Sequence, residues 1–570
     1  MFRLVCTRAI VTLGLALGTT ALAAQQAPSI EEVIARIREE GLQRSQVMQT
    51  LSYLTDVIGP RLTGSPNLKR ANEWTRNQLT TWGLENARLE PWGPFGVGWT
   101  LERFSAQIIA PQCIPLIACP KAWSPGVRGT HVGEVVYVEA NTEAELEKYR
   151  GRLKGAIVLN GPTRDVPARF DPLGRRWTEE DLARMAQGRR DAPRGPGETP
   201  RRPVGPGSTA GSPAGNPTAS GGQSPRLSPA RRLAFFLQEG VAVVVDPSTR
   251  GDGGTLFVQS AALPATGSSS SRAQRAPRPW DRKAPKTVPQ VVMAIEDYNR
   301  LVRMIRQGER LRMAVQMAVR FHDRDLMAYN TLADLPGTDR KDEVVMLGAH
   351  LDSWHGATGA TDNAAGCAVV MEAMRILKAV GVQPRRTIRV ALWTGEEQGL
   401  FGSTAYVERH LSALEPVPTT GEQGGTAQRR RINKPDYEKF CVYFNLDNGT
   451  GRIRGIYAQG NEAAAVLFKE WLVPFHDLGA TTVTLNNTGA TDHVPFDRAG
   501  LPGFQFIQDP IEYSTRTHHS NQDNYDRIQP EDVKQAAVIM AAFAYQAAMR
   551  EELFPRKAAR ASTVAQGTAR

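Results

Sequence analysis

Apolar residues recur at helical spacing near the start of the chain and form short continuous runs farther along it. The stretches 29–59 and 67–84 have helical periodicity, and the second carries Trp74 and Trp82 for packing. Beyond residue 327, the runs DEVVMLGAH, RTIRVALWTG, FCVYFNLDN and GFQFIQDP predict strands buried on both faces. Between the first two runs, residues 367–380 predict a helix whose apolar face comprises Val369, Ala373, Ile376, Leu377 and Val380.

This alternation of strand, loop and helix is typical of an α/β domain with a mostly parallel central sheet flanked by helices. Residues 127–326 are β-rich instead, with short apolar runs such as GEVVYVEA, GAIVLNG, VAVVVDP and TLFVQS. A chain of 570 residues also exceeds one compact core. We therefore expect the α/β domain to comprise 24–126 and 327–554, with 127–326 inserted into it and a loose basic tail at 555–570.

Residues 1–23 predict a secretory signal peptide. Arg3 and Arg8 precede an apolar run from Ile10 to Leu17, and Ala21-Leu22-Ala23 provides a cleavage site of small residues. The run is shorter than the roughly 20 residues that cross a bilayer. We expect a secreted or periplasmic protein without a membrane span.

The formal net charge of +11 is located in two segments. Residues 161–232 hold thirteen Arg and seven acidic residues, and residues 266–286 hold six basic residues and one Asp. Both segments are rich in Pro, Gly and Ser, so we expect them to be disordered. The charge therefore does not indicate a nucleic-acid partner.

The cysteines fit an exported protein without proving export. Cys113 and Cys119 are close enough in the chain to clamp a Pro-rich loop, and whether they are bonded stays open. Cys367 and Cys441 lie in apolar runs and are expected to be buried free thiols.

Ionisable residues follow the ends of the predicted parallel strands. The first strand ends at His350, and later strand ends are followed by Glu396-Glu397, Asp447 and His518-His519. Ligands bind beyond the carboxyl ends of strands in such sheets, so these groups should meet at one edge. Together with Asp362, they form a nitrogen and carboxylate set that suits zinc.

The number of carboxylates favours two ions over one. Asp362, Glu396, Glu397 and Asp447 bring four negative charges that would repel one another without cations. Paired divalent ions serve hydrolases by activating water and polarising a substrate carbonyl. One glutamate of the 396–397 pair can bind metal while the other transfers a proton.

Two aspartates are predicted to hydrogen-bond the metal-binding histidines and orient their rings. A metal-binding His commonly donates its second ring N–H to a carboxylate. Asp352 follows His350 by two residues, and Asp523 follows His519 by four. We expect Asp352 to orient His350 and Asp523 to act similarly near His519.

Five motifs in this order resemble the co-catalytic zinc exopeptidases, a family that includes secreted aminopeptidases, carboxypeptidase Q, glutamate carboxypeptidase II and the transferrin receptor. The motifs are His350-x-Asp, Thr361-Asp-Asn-Ala-Ala-Gly, WTGEEQGLFGS, Asn-Leu-Asp447 and His519-x-x-x-Asp523. The resemblance implies that Asp362 bridges two zinc ions. It further implies that His350 and Asp447 complete one site, that Glu397 and His519 complete the other, and that Glu396 is the general base. The middle section resembles the protease-associated domain of some members.

The chain departs from the family pattern at one position. Secreted aminopeptidases of the family often place a Tyr near the segment TLNNTGATDHVPF, where this chain has Thr488. His518 is a candidate to replace it near the developing oxyanion, and it is also the alternative to His519 as a ligand. Asp492 could line the pocket or cap a helix, and His355 could face substrate or be structural.

We expect a zinc exopeptidase that takes peptides as substrates, with aminopeptidase activity first. A carboxypeptidase or dipeptidase of the carboxypeptidase Q type is the alternative, and a single-zinc glutaminyl cyclase is a further one. A non-catalytic receptor is disfavoured by the intact ligand set and base. A homodimer remains open.

Overall fold

The computed structural model describes residues 28–188, 227–265, 276–416 and 429–557. The predicted signal peptide, residues 189–226 and 266–275 of the two basic segments, and residues 558–570 of the tail lie outside these ranges. None of the helices within the described ranges combines the length and apolar character that crossing a bilayer requires.

A mixed sheet of eight strands forms the centre of the first domain. Its middle strands are parallel, and antiparallel pairs occur toward both edges. The spatial order is Glu85–Pro91, Tyr329–Leu335, Arg386–Trp393, Arg340–His350, Phe440–Asn445, Gly503–Gln508, Ile453–Tyr457 and Thr482–Thr484. The four strands predicted from the apolar runs are all present, and the predicted α/β class is confirmed.

Helices cover both faces of this sheet. On one face Ala365–Val380 and Pro530–Met549 pack together with the N-terminal helix Ile30–Gln43. The remaining α-helices of the domain are Val47–Ser52, Pro66–Thr81, Phe401–Tyr406, Glu462–Leu472 and His493–Arg498. Trp74 stacks on Tyr53 with ring centroids 4.4 Å apart, as its predicted packing role requires. The N-terminal helices therefore complete the domain that begins again near residue 327.

A second eight-stranded sheet lies within Gly98–His322. Its spatial order is Ile114–Pro115, Gly98–Ala110, Arg312–His322, Thr130–Val138, Ile157–Asn160, Val243–Pro247, Gln290–Met293 and Ala118–Pro120. It carries the helices Glu143–Glu147, Pro229–Gln238 and Ile295–Arg306, and a two-stranded sheet elsewhere pairs Ser412–Pro416 with Arg429–Asn433. The long strand Gly98–Ala110, which precedes residue 127, belongs to this second sheet because it pairs with Arg312–His322.

The run TLFVQS does not form a strand of this sheet, contrary to the prediction. It makes isolated bridges only, Phe257 to Ser520 and Ser260 to Ala122. The run is nevertheless buried: Leu256 and Val258 are 1% exposed and pack on Val292 of the strand Gln290–Met293.

Parts of the segments predicted to be disordered have fixed structure. Residues 161–188 include the helix Glu179–Ala186, and Leu182 and Met185 pack on Ile507 of the first domain. In the second segment, Trp280 is 8% exposed and stacks on Phe95. The prediction was wrong there because a few apolar side chains pack against residues distant in sequence, despite the polar composition around them.

The four cysteines of the described ranges are all free thiols. Cys367 and Cys441 are buried, as predicted, whereas Cys113 is exposed and Cys119 partly so. Cys113 and Cys119 are therefore not bonded to each other.

Candidate metal centre

The strands of the first sheet end level with one another. His350 pairs in register with Trp393, and Gly348 pairs with Asn445 on the other side. The residues that follow Trp393 and Asn445 therefore emerge beside His350. This brings Glu396, Glu397 and Asp447 to the edge where the sequence placed them.

Asp362 lies between the two histidines. Its Oδ1 is 3.2 Å from His350 Nε2, and its Oδ2 is 3.2 Å from His519 Nε2. On the outer sides, Asp447 Oδ1 is 3.2 Å from His350 Nε2 and Glu397 Oε2 is 2.8 Å from His519 Nε2. The five predicted ligands thus form one row centred on Asp362.

The donor set fits divalent cations. Asp362 Oδ2 and Glu397 Oε1 are buried oxygens without a hydrogen-bond donor. Burial and the charge of Asp362 raise the pKa of Glu397 to about 7. Burial alone would lower the pKa of His519, but the Glu397 and Asp362 carboxylates raise it to about 10. Buried anions of this density are stable when cations lie among them.

Glu396 lies beside the row rather than within it. Burial raises its pKa well above the ordinary value, and the Asp447 and Asp492 carboxylates raise it further against the influence of His350. A carboxyl group that holds a proton more readily than usual suits a role in proton transfer.

Asp352 supports the site through the backbone of the glutamate pair. Its carboxylate accepts the Glu396 and Glu397 N–H groups, each at 3.3 Å, and the Thr63 hydroxyl at 3.0 Å. His350 Nδ1 lies 3.0 Å from the Asp352 main-chain carbonyl and 3.7 Å from its carboxylate. The ring N–H of His350 is thus oriented chiefly by the carbonyl.

Asp523 does not act on His519 as the sequence suggested. Its carboxylate accepts the Thr361 N–H at 2.6 Å and the Asp362 N–H at 3.1 Å. Burial, followed by the charge of Asp362, raises the pKa of Asp523 to about 7. Asp523 therefore fixes the turn that carries the central aspartate.

The remaining candidates have different surroundings. His518 Nε2 is 3.8 Å from Asp362 Oδ2, and its ring lies 3.8 Å from that of His519. His355 is partly buried, contacts the Pro120 carbonyl through Nε2, and has a pKa lowered to about 4 by burial. His355 is thus a neutral anchor between the two domains rather than a group facing the metal row.

Asp492 is fully buried and makes no side-chain cap to the helix His493–Arg498. Its Oδ1 accepts the Ser403 hydroxyl, while its Oδ2 has no donor. Burial raises its pKa to about 7. Asp492 therefore provides a second carboxyl group close to Glu396.

Several residues at the site were missed by sequence reasoning. Arg61 and Thr63 come from the loop before the helix Pro66–Thr81, and Gln259 comes from the insertion. Tyr513 packs on His518 with ring centroids 4.8 Å apart. Only Tyr513 could have been found from its position in the sequence, because it lies six residues before His519. The other three reach the site from distant segments.

Comparison with known proteins places this geometry in context. Residues 330–544 match the family model described as Peptidase family M28. Carboxypeptidase Q of Rattus norvegicus is 30% identical over 269 residues, and an aminopeptidase of Bacillus subtilis is 29% identical over 223 residues. These matches cover 47% and 38% of this chain, and 52% and 44% of the relatives, so the chain matches about half the length of those proteins.

A crystal structure of a peptidase M28 precursor from Shewanella amazonensis has the same fold. The TM-score is 0.61 at 20% identity, and the alignment covers 93% of this chain and 99% of that one. The architecture with both sheets therefore has a counterpart among solved structures.

Proposed function

Because residues 330–544 match the model of Peptidase family M28, we propose that this chain is a zinc-dependent exopeptidase that removes terminal residues from peptides. The observation that carries the proposal is the position of Asp362 between His350 and His519, with Asp447 and Glu397 on the two outer sides. The names of the rat and Bacillus relatives support the same class of activity.

We assign two zinc ions to this row. His350, Asp447 and one oxygen of Asp362 would hold the first, and His519, Glu397 and the other oxygen of Asp362 would hold the second. Zinc bound there supplies Lewis acidity toward water and toward the scissile carbonyl. Three ligand carboxylates beside Glu396 exceed what one divalent ion neutralises, which supports a count of two.

The protein groups then divide the remaining work. Glu396 takes a proton from the attacking water and returns it to the leaving amine. Asp352 holds the backbone of Glu396 and Glu397 through two N–H groups, so the base and the neighbouring ligand keep a fixed relation. The rings of Tyr513 and His518 pack against each other beside His519, and both residues are candidates to contact substrate.

We place aminopeptidase activity first. The similarity to the aminopeptidase of Bacillus subtilis supports this order. Carboxypeptidase or dipeptidase activity is the second candidate, favoured by the similarity to carboxypeptidase Q.

The proposal is tested with the purified chain and three substrate sets: aminoacyl amides with a free amino end, acyl-blocked dipeptides with a free carboxyl end, and free dipeptides. Cleavage of the first set is expected. Cleavage of blocked dipeptides alone would establish the carboxypeptidase, and a requirement for dipeptides would establish the dipeptidase.

Metal content and one variant test the assigned roles. Elemental analysis should give two zinc ions per chain, and a chain that binds no zinc would refute the proposal. Glu396→Gln should retain zinc but lose about 10²–10⁴-fold in kcat. Glu470→Gln, at an exposed glutamate of the helix Glu462–Leu472, is the matched control and should remain active.

A further inference from the structure

The inserted domain reaches into the loop that carries His519. The Val258 N–H donates to the His519 carbonyl at 3.0 Å, and the Asn521 N–H donates to the Leu256 carbonyl at 3.1 Å. The Leu256 N–H in turn donates to Oδ1 of the Asn521 side chain at 2.9 Å. A short antiparallel pairing therefore joins 256–258 of the insertion to 519–521 of the peptidase domain.

This pairing fixes an unusual backbone conformation. His519 has φ of +62°, the left-handed region that a non-glycine residue keeps only when its surroundings hold it there. The insertion also supplies Arg250, whose guanidinium donates to the carbonyls of Ser514 and His518. The conformation that directs the His519 ring toward Asp362 thus depends on contacts from the other domain.

The ring itself also has a partner in the insertion. His519 Nε2 faces Glu397 and Asp362, while Nδ1 lies 3.0 Å from the side-chain amide nitrogen Nε2 of Gln259. An imidazole that binds a cation through Nε2 carries its proton on Nδ1 and needs an acceptor there. A half-turn of the Gln259 amide exchanges its nitrogen and oxygen in place, which provides that acceptor.

The two histidines of the row differ in this respect. The Nδ1 of His350 lies 3.0 Å from the Asp352 carbonyl, within its own domain. The Nδ1 of His519 meets a residue of the inserted domain. One half of the row is therefore oriented locally, and the other half is oriented across the domain interface.

We propose that Gln259 is a positioning residue of the metal centre. Its amide oxygen accepts the Nδ1–H of His519 and fixes the tautomer and ring plane in which Nε2 faces the cation. The inserted domain then contributes directly to one of the two proposed metal sites, by orienting one of its ligands. This inference rests on the zinc function proposed above.

The experiment compares Gln259→Leu, which removes the amide at similar size, with Gln259→Glu, which retains an acceptor. Gln307→Leu, at an exposed glutamine of the same domain, is the control. Metal is stripped from each full-length protein, and zinc is titrated back in competition with a chromophoric chelator, a readout that does not require turnover. Gln259 is exposed, so the variants are expected to fold, and circular dichroism of the apo proteins checks this.

Gln259→Leu should weaken one of the two zinc affinities by about 10–100-fold and leave the other unchanged. Gln259→Glu and Gln307→Leu should match or exceed the wild type. Unchanged affinities in Gln259→Leu, equal losses at both sites, or no recovery in Gln259→Glu would each overturn the role of Gln259 while leaving the exopeptidase intact. A wild-type chain that binds no zinc would instead remove the proposed function, and this inference with it.

Discussion

Replacement of Arg61 tests whether hydrogen bonds from its guanidinium stabilise the loop between His350 and Asp362. Arg61 is fully buried, and its guanidinium donates only to main-chain carbonyls. The acceptors are Leu351 and Gly359 at 2.8 Å, Thr358 at 2.8 Å, Gly59 at 3.0 Å and Leu54 at 3.1 Å. Three of the five belong to the loop that joins the two metal-row residues.

The expected cost follows from these five bonds. Each carbonyl that loses its donor in a buried place destabilises the fold by about 1 kcal/mol or more, so the Arg61→Met variant loses about 5 kcal/mol in contacts. Removing the cation also removes its own desolvation penalty, which amounts to several kcal/mol for a buried ion and offsets part of this loss. We expect a net decrease of about 2–4 kcal/mol in the free energy of unfolding.

Urea unfolding followed by tryptophan emission measures this decrease in Arg61→Met. Arg70→Met is the matched control, because Arg70 is exposed and gives one hydrogen bond, to the Val57 carbonyl at 3.1 Å. The control should change by less than about 1 kcal/mol. If the two variants lost the same stability, the five carbonyl contacts would not hold the loop, and the reasoning would be refuted.

Three further predictions concern other parts of the molecule. Chelation of metal should lower the Tm in a calorimetric scan, and zinc at about 100 times its Kd should restore about 2.7 kcal/mol; a Tm unaffected by chelation would contradict the centre. Asp523→Asn leaves one of the Thr361 and Asp362 N–H groups without an acceptor, so it should cost about 1–3 kcal/mol and weaken zinc binding; titrations like those of the wild type would argue against the contact. Leu182→Ala should expose residues 161–188 to limited proteolysis, because Leu182 is 2% exposed against Ile507, and an unchanged cleavage pattern would show that the packing does not hold the segment.

Much of the candidate centre was predictable because its proposed ligands follow strand ends. The apolar runs that end at His350, Trp393 and Asn445 are local patterns, and the level ends of parallel strands bring the following residues together. The spacing of Asp362, Glu397 and His519 within recognisable motifs supplied the rest of the row.

Two predictions failed because they were made from amino-acid composition or from proximity in the chain. Residues 161–188 have the polar, Arg-rich character of a disordered segment, yet Trp177 donates its ring N–H to the Gln508 carbonyl at 2.8 Å and the following helix packs on the first domain. The Asp523 carboxylate was assigned to His519 by proximity in the chain, but it turns toward the Thr361 and Asp362 backbone. In both cases the deciding partner is far away in sequence.

The sequence by itself determined the α/β class and the row of candidate ligands, because hydrophobic period and motif spacing are properties of short segments. Only the tertiary structure decided which groups support that row. Arg61, Thr63 and Gln259 reach the site from separate segments, and a buried donor or acceptor is paired by whatever the fold brings within about 3 Å of it. No local pattern records such a partner, so the contribution of the inserted domain to His519 could be seen only in three dimensions.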